Sequence, residues 1–408
     1  MKLYHRLVEK KLALALADTP VILIHGSRQS GKTTLAKMAA PNHYYISFDD
    51  VAQLAIAKDD PIGFIKRLPE YVILDEIQRV PELFTSIKAS VDNNRKPGRF
   101  ILTGSANILL LPRLSDSLAG RMEIITLWPL SHCEIRGGVD SERCLLGQIL
   151  ANQIDNQFIS DATTIEERVV SGGYPEPLKR QTLERKQAWY ESYTTSLIER
   201  DMKDISDIRH VEQVPLLLKF LSAMNAELLN ISTLSNSLDM TRATTTKYLQ
   251  LLQQIFIVDL LKPWYSNRGK RLIKAPKVHF IDTGLICSLQ GISDNALLKD
   301  RNLFGHLLES YVYNELKRQA SGLNSSVNFY HFRDTNQNEI DIIIETRSGD
   351  LYAIEIKATS TVRPADFKTM KKFAEQYKNR FKMGILFYDG ELALPSGEQF
   401  LAVPLNWL

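Results

Sequence analysis

Gly26-Ser27-Arg28-Gln29-Ser30-Gly31-Lys32-Thr33 follows the apolar run Val21-Ile22-Leu23-Ile24-His25 and opens an amphipathic segment. The spacing G-x-x-x-x-G-K-T between a strand and a helix defines a phosphate-binding loop. Its glycines let backbone N–H groups curl around phosphate oxygens, aided by the positive end of the following helix. Lys32 is expected to reach the β and γ phosphates, and the Thr33 hydroxyl to bind Mg²⁺. The residues expected to hold ATP are Gly26, Ser27, Arg28, Gln29, Ser30, Gly31, Lys32, Thr33 and Thr34.

Working outward, VILIHG, HYYISFDD, YVILDE and RFILTGS are short runs rich in β-branched or aromatic residues, separated by helical patterns. Such runs predict a parallel sheet covered on both faces. Tyr71-Val72-Ile73-Leu74-Asp75-Glu76 ends in two carboxylates, which places both beside the phosphate loop. Asp75 is expected to hold Mg²⁺ through water, and Glu76 to orient and deprotonate the attacking water. After the strand Phe100–Gly104, either Ser105 or Asn107 is placed to sense the γ-phosphate. Arg121 precedes a further strand, and reads either as a residue acting on a neighbouring subunit's nucleotide in a homo-oligomer or as a surface arginine.

The 408 residues allow several domains, and 50 Lys plus Arg against 47 Asp plus Glu leave a net charge of only +3. Any nucleic-acid contact must then come from a local basic cluster. The three cysteines, Cys133, Cys144 and Cys287, have no Cys-x-x-Cys spacing, which argues against a disulfide framework and a zinc ribbon and for a reducing cytoplasm. Lys10-Lys11 before Leu12–Ala17 resembles a secretory leader, but the run stops at Asp18, and Leu3, Leu7, Val8, Leu12 and Leu16 suit a packed amphipathic helix. No run is long enough to span a membrane.

The pattern divides the chain into a P-loop ATPase domain with its N-terminal helix (1–137), a helical connector or lid (138–209) containing Ser171-Gly172-Gly173-Tyr174-Pro175, a helix-turn-helix with a basic wing (210–277) and a last α/β unit (278–408). In the third part, Ile231–Leu238 and Thr241–Phe256 read as helices. Thr245, Leu249, Leu252 and Phe256 share one face, with Thr244, Lys247 and Gln250 opposite. Lys262, Arg268, Lys270, Arg271, Lys274 and Lys277 follow with no acid among them, around a hairpin tip at Asn267-Arg268-Gly269. A winged helix of this kind suits DNA or RNA, with Thr244, Lys247 and Gln250 toward bases and Arg268, Lys270 and Arg271 toward phosphates. The same module also serves as a protein-interaction surface.

In the last unit, Glu339–Ile344 and Leu351–Lys357 read as a hairpin around Arg347-Ser348-Gly349. Pairing Thr346 with Asp350 sets Asp341 opposite Glu355 and Glu339 opposite Lys357, all on one face. Opposed carboxylates need a cation, so a second Mg²⁺ or Mn²⁺ is expected there, with Lys357 supporting a phosphodiester transition state. Glu309 on the helix Phe304–Arg318 is a further acid for the site, and Glu315 is a second candidate. The arrangement resembles the Asp…Glu-x-Lys signature of restriction-endonuclease-like enzymes; the alternative is an ion-pair lattice on a sheet face.

The segments GSRQSGKTT, YVILDEIQRVPELF, FILTGSAN, SLAGRMEIITLWPLS, SGGYPEPL, SLIERDMKDI, KYLQLLQQIFIVDLLKPW and KVHFIDTGL together resemble a prokaryotic family of AAA-type ATPases whose C-terminal half is a domain of unknown function. That resemblance implies an α/β architecture: a P-loop parallel-sheet ATPase domain, a winged helix and a restriction-endonuclease-like C-terminal fold. Two functions follow. One is an ATPase coupled to nucleic-acid processing; the other is a nucleotide-controlled binding protein whose nuclease-like fold is inactive.

Overall fold

The computed structural model describes residues 3–105, 118–155, 163–202, 213–267, 269, 271 and 274–408; Asn107, Arg268 and Lys270 lie outside the described residues. Strands β1 (Val21–His25), β2 (Tyr44–Ser47), β3 (Val72–Asp75), β4 (Phe100–Gly104) and β5 (Met122–Thr126) form one parallel sheet in the order β2-β3-β4-β1-β5. Every residue of β1, β3 and β4 is buried, as apolar strands between two helical layers must be. Ile22 and Ile24 face Val8, Leu12 and Leu35, whereas Val21 and Leu23 face Phe84, Ile87 and Val91. The N-terminal helix spans Glu9–Asp18 and buries Leu12, but Leu3 is left at the surface.

Beyond the first sheet, one hydrophobic core runs from Leu145 to Leu408, so the connector, the helical module and one face of the last sheet are packed together. The connector contributes helices Leu145–Leu150, Ile165–Ser171 and Leu183–Ser196. Cys133 and Cys144 are joined as a disulfide, contrary to the reading of the cysteine spacing. The cause is local: the chain turns back after the helix His132–Ile135, with Gly138 N donating to Cys133 O at 2.8 Å. Spacing alone carries no record of that turn.

Helices Ile231–Ser237 and Arg242–Gln254 are followed by β6 (Val258–Leu261) paired antiparallel with β7 (Lys277–Phe280). Thr245, Leu249, Leu252 and Phe256 are all buried, as their shared face requires. The basic wing differs from expectation. Trp264 is fully buried, its backbone N–H donates to His331 O at 2.6 Å, and Arg271 ion-pairs with Glu345 at 2.5 Å. Segment 262–264 is thus laid against the last sheet, while Asn267 and Gly269 of the expected tip are exposed, with Gly269 N donating to Asn267 Oδ1 at 2.9 Å.

That sheet comprises β8 (Val327–Arg333), β9 (Glu339–Thr346), β10 (Leu351–Lys357), β11 (Phe381–Tyr388), β12 (Leu394–Pro395) and β13 (Phe400–Pro404), ordered β12-β13-β11-β10-β9-β8. The β9–β10 pairing runs from Leu351↔Glu345 to Ile354↔Ile342, the register that the turn chemistry sets. Gly349 supplies the left-handed residue of the turn at φ 92°.

One buried ionic group ties the two halves together. Asp282, fully buried, accepts from Gly173 N (2.7 Å), Tyr190 Oη (2.7 Å), Gly284 N (3.1 Å) and Arg318 Nη2 (3.0 Å). Arg318 also donates to Glu315 Oε1 (2.9 Å) and to the carbonyls of Leu130 and Ile281. Replacing one member of a buried ion pair strands the other charge and costs about 3–5 kcal/mol. Arg318→Met is therefore expected to lower stability by about that amount in urea unfolding; a loss below about 1 kcal/mol, the size of a surface ion pair, would contradict the assignment.

Candidate functional site

The phosphate loop takes its shape from its glycines. Gly26 has φ 152°, and a Cβ there would lie 2.1 Å from Leu127 O; Gly31, at φ 100°, begins the helix Lys32–Ala39. Lys32 is 5% exposed and donates to Gly26 O (3.1 Å) and Ser27 O (2.8 Å), so the loop's own carbonyls hold the ammonium. Ser30 Oγ is buried with no hydrogen-bond partner, a polar atom suited to a ligand.

Across the sheet edge, Thr33 Oγ1 donates to Asp75, 3.0 Å from both carboxylate oxygens. Asp75 also accepts from Tyr45 Oη at 2.7 Å and from Thr103 Oγ1 at the end of β4. Burial and the Asp75 contact push the Tyr45 phenol up to about 12, so it stays a donor. An oxygen-only set of a hydroxyl and a carboxylate suits Mg²⁺, and Thr33 and Asp75 are the residues that would hold it.

Glu76 sits in the left-handed region at φ 58°, ψ 44°, an uncommon conformation for a non-glycine residue, at the end of the strand that carries Asp75. Ser105 Oγ donates to Glu76 Oε2 at 3.2 Å; Gln78 Nε2 donates to the same oxygen and to Ser105 Oγ at 3.1 Å. Of the two sensor candidates, Ser105 touches the carboxylate, and Asn107 lies outside the described residues. Arg121 lies at the opposite end of the sheet from its own phosphate loop, where it pairs with Asp92 at 2.5 Å and donates to Ala119 O. His25 is structural: its ring meets Thr126 Oγ1 and Phe256, and burial, with Lys32 nearby, brings it down to about 4.

Sequence reasoning missed several residues around the loop. Arg6, 7% exposed, donates to Ser30 O (2.8 Å) and Trp128 O (2.7 Å) while pairing with Glu134 (3.0 Å). Tyr193 Oη donates to Arg28 O (3.2 Å) and lies 2.9 Å from Tyr174 Oη, which joins the Gly172-Gly173 turn to the loop. A cavity of about 480 Å³ opens between Thr33, Thr34, Glu76 and Tyr4 on one side and Pro175 and Lys179 of the connector on the other. Residues Pro175 and Lys179 thus share a cavity with the phosphate loop.

In the C-terminal unit the geometry corrects the metal expectation. Lys277, 3% exposed, lies 2.8 Å from Glu309, 2.6 Å from Glu339 and 3.9 Å from Asp341, and Lys357 pairs with Glu355 at 3.0 Å. Asp341 Oδ2 also accepts from Ile356 N at 2.9 Å. Among the described residues no group of three or more His, Cys, Asp or Glu side chains is arranged to hold a metal ion. The repulsion between acids is offset by lysine ammoniums. Burial, then Asp341, pushes the Glu309 and Glu355 carboxyls up to about 8. For Glu339, burial disfavours the charge but Lys277 outweighs it and holds the carboxyl below its usual range.

Glu315 does not join this cluster; it pairs with Arg318 and accepts from His132 N. Of the nucleic-acid candidates, Lys247 and Gln250 are exposed, Thr244 is half-buried and its backbone N–H donates to Thr241 Oγ1 at 3.1 Å in the helix cap, and Arg271 is buried in its pair with Glu345. No helix among the described residues is long and apolar enough to cross a membrane.

The parallel sheet and its loop are those of a P-loop nucleotide-binding domain, and a family described as "AAA domain" matches residues 18–136. Families described as domains of unknown function, DUF8612 and DUF4143, match residues 162–296 and 304–408. Uncharacterized protein Rv2008c of Mycobacterium tuberculosis is 30% identical over 401 residues, spanning 97% of this chain and 82% of that protein. The chain belongs to the family of that protein. Uncharacterized protein MJ1544 of Methanocaldococcus jannaschii is 22% identical over 409 residues, covering 95% and 86%. Among solved structures, the Walker-type ATPase PABY2304 of Pyrococcus abyssi is similar with a TM-score of 0.42 and 15% identity, covering 69% of this chain and 94% of that one.

Proposed function

We propose that this chain hydrolyses ATP and uses the nucleotide state to control what its C-terminal half binds. The observation that carries the hydrolysis is the convergence of Lys32, the Thr33–Asp75 pair and Glu76 on one sheet edge. Mg²⁺, when bound, supplies positive charge to the β and γ phosphate oxygens. Lys32 exchanges its loop carbonyls for phosphate oxygens, Ser105 and Gln78 orient Glu76, and Glu76 takes a proton from the water that attacks the γ-phosphorus. The bond to the β–γ bridging oxygen breaks, giving ADP and phosphate. Phosphate release from ATP that stops on addition of EDTA is the test; release that continues would reject the Mg²⁺-dependent reading.

Control passes to the rest of the chain through Tyr193 and Tyr174, which connect the loop to the glycine turn seated on Asp282. The partner class supported is nucleic acid, because Lys247 and Gln250 point outward from the second helix and Lys262 and Lys274 are exposed near it in sequence. Lys247→Glu is expected to weaken binding of labelled DNA or RNA oligonucleotides at least about threefold, with a shallower salt dependence. Anisotropy titrations at several salt concentrations check this; no binding by the unaltered chain, with or without ATP, would leave a protein partner as the reading. The burial of Arg271 and Lys277 favours a binding role for this half over cleavage.

A further inference from the structure

We infer that Lys277 is the resident cation of the C-terminal acidic cluster, occupying the place a divalent metal would need, so that Glu309, Glu339 and Asp341 bind Mn²⁺ only when that ammonium is removed. Two separate elements deliver the acids: Glu309 comes from the helix Arg301–Ala320, and Glu339 and Asp341 stand two residues apart on β9. Lys277 enters from outside that sheet, as the first residue of β7, paired with Leu261 on β6 and bridged to Leu228. Its backbone is therefore fixed, and its ammonium is delivered into the cluster rather than reaching it by chance.

The distances are those of an ammonium seated among the acids. Two contacts, at 2.8 and 2.6 Å, have the length of charge-assisted hydrogen bonds, and Asp341 at 3.9 Å completes a three-carboxylate shell around a side chain that is 4% exposed. Two of the three N–H donors meet acids at hydrogen-bond length, and Asp341 is held by charge alone. A divalent ion would need the same oxygens at about 2.0–2.6 Å. It would also have to sit beside a buried ammonium, which like-charge repulsion opposes. Lys357 is already committed to Glu355 on β10 and lies at the edge of the same group. The inference extends to function: with its metal position filled by its own chain, this cluster is a cross-link between β7, β9 and the long helix.

The test is Mn²⁺ binding to the full chain, read by the electron paramagnetic resonance signal of free Mn²⁺, in a Lys32→Ala background that disables the nucleotide loop. With Lys277 intact, no uptake is expected and the melting temperature should not move with added Mn²⁺. Lys277→Met should gain roughly one bound Mn²⁺ per chain, and adding Asp341→Asn should abolish it. Lys277→Gln, which keeps a hydrogen-bonding end, serves if the methionine variant does not fold. Mn²⁺ uptake by the lysine-intact chain that disappears with Asp341→Asn would overturn the inference. So would a folded Lys277 variant that takes up no Mn²⁺.

Discussion

Glu76→Gln is expected to keep ATP bound while slowing hydrolysis by about 10²–10⁴-fold, the range that a positioned general base contributes. The amide has the shape of the carboxylate and can still meet Gln78 and Ser105, but it cannot take a proton. The contacts at Glu76 Oε2 are directional, and they lie on a residue held at φ 58°, so the position is built to aim one oxygen. Single-turnover phosphate release beside an ATP-binding isotherm separates the two effects. Unimpaired hydrolysis would move the base elsewhere. Weakened binding with unchanged turnover of bound ATP would make Glu76 a structural residue.

Lys32→Ala is expected to weaken ATP binding by about 30-fold to several-thousand-fold, corresponding to about 2–5 kcal/mol for removal of one partner of a buried charge pair. In the free chain Lys32 already rests on Gly26 O and Ser27 O, so the alanine variant also leaves those carbonyls without their donor. A second consequence follows from that geometry: the thermal stability of the free variant should fall slightly, by about 1–3 kcal/mol per unsatisfied buried group at most. Calorimetric titration with Mg·ATP gives the affinity, and an unchanged isotherm would remove Lys32 from the nucleotide site.

The parts of this site that the sequence disclosed are those whose geometry is local. Eight contiguous residues fix the phosphate loop, and an apolar strand with its last two positions acidic fixes Asp75 and Glu76, because a strand's end is also the sheet's edge. The hairpin register is legible for the same reason: Gly349 closes a short turn, and the pairs from Leu351↔Glu345 to Ile354↔Ile342 follow from it.

What was hidden depends on long-range packing. Arg6 meets Ser30 and Glu134 across a gap no periodicity records, and Tyr193 reaches Arg28 from 165 residues away. Counting charges made Lys262–Lys277 a basic wing, but Arg271 faces Glu345 and Lys277 faces three acids, both supplied by later segments. The same blindness produced the metal expectation. An opposed pair of carboxylates demands a cation, and the sequence of the hairpin alone cannot say that a lysine on another strand supplies it.

The central claim is that the loop at Gly26–Thr34, with Thr33 and Asp75, is an ATP site whose lysine changes partners on binding. A crystal structure of the full chain with Mg²⁺ and a non-hydrolysable ATP analogue tests it most directly. The account predicts the triphosphate along the loop's backbone N–H groups, the metal beside Thr33 Oγ1 and Asp75, and Lys32 Nζ moved from Gly26 O and Ser27 O onto the phosphates. A nucleotide seated elsewhere, or Lys32 still bound to its own loop with the analogue in place, would contradict it.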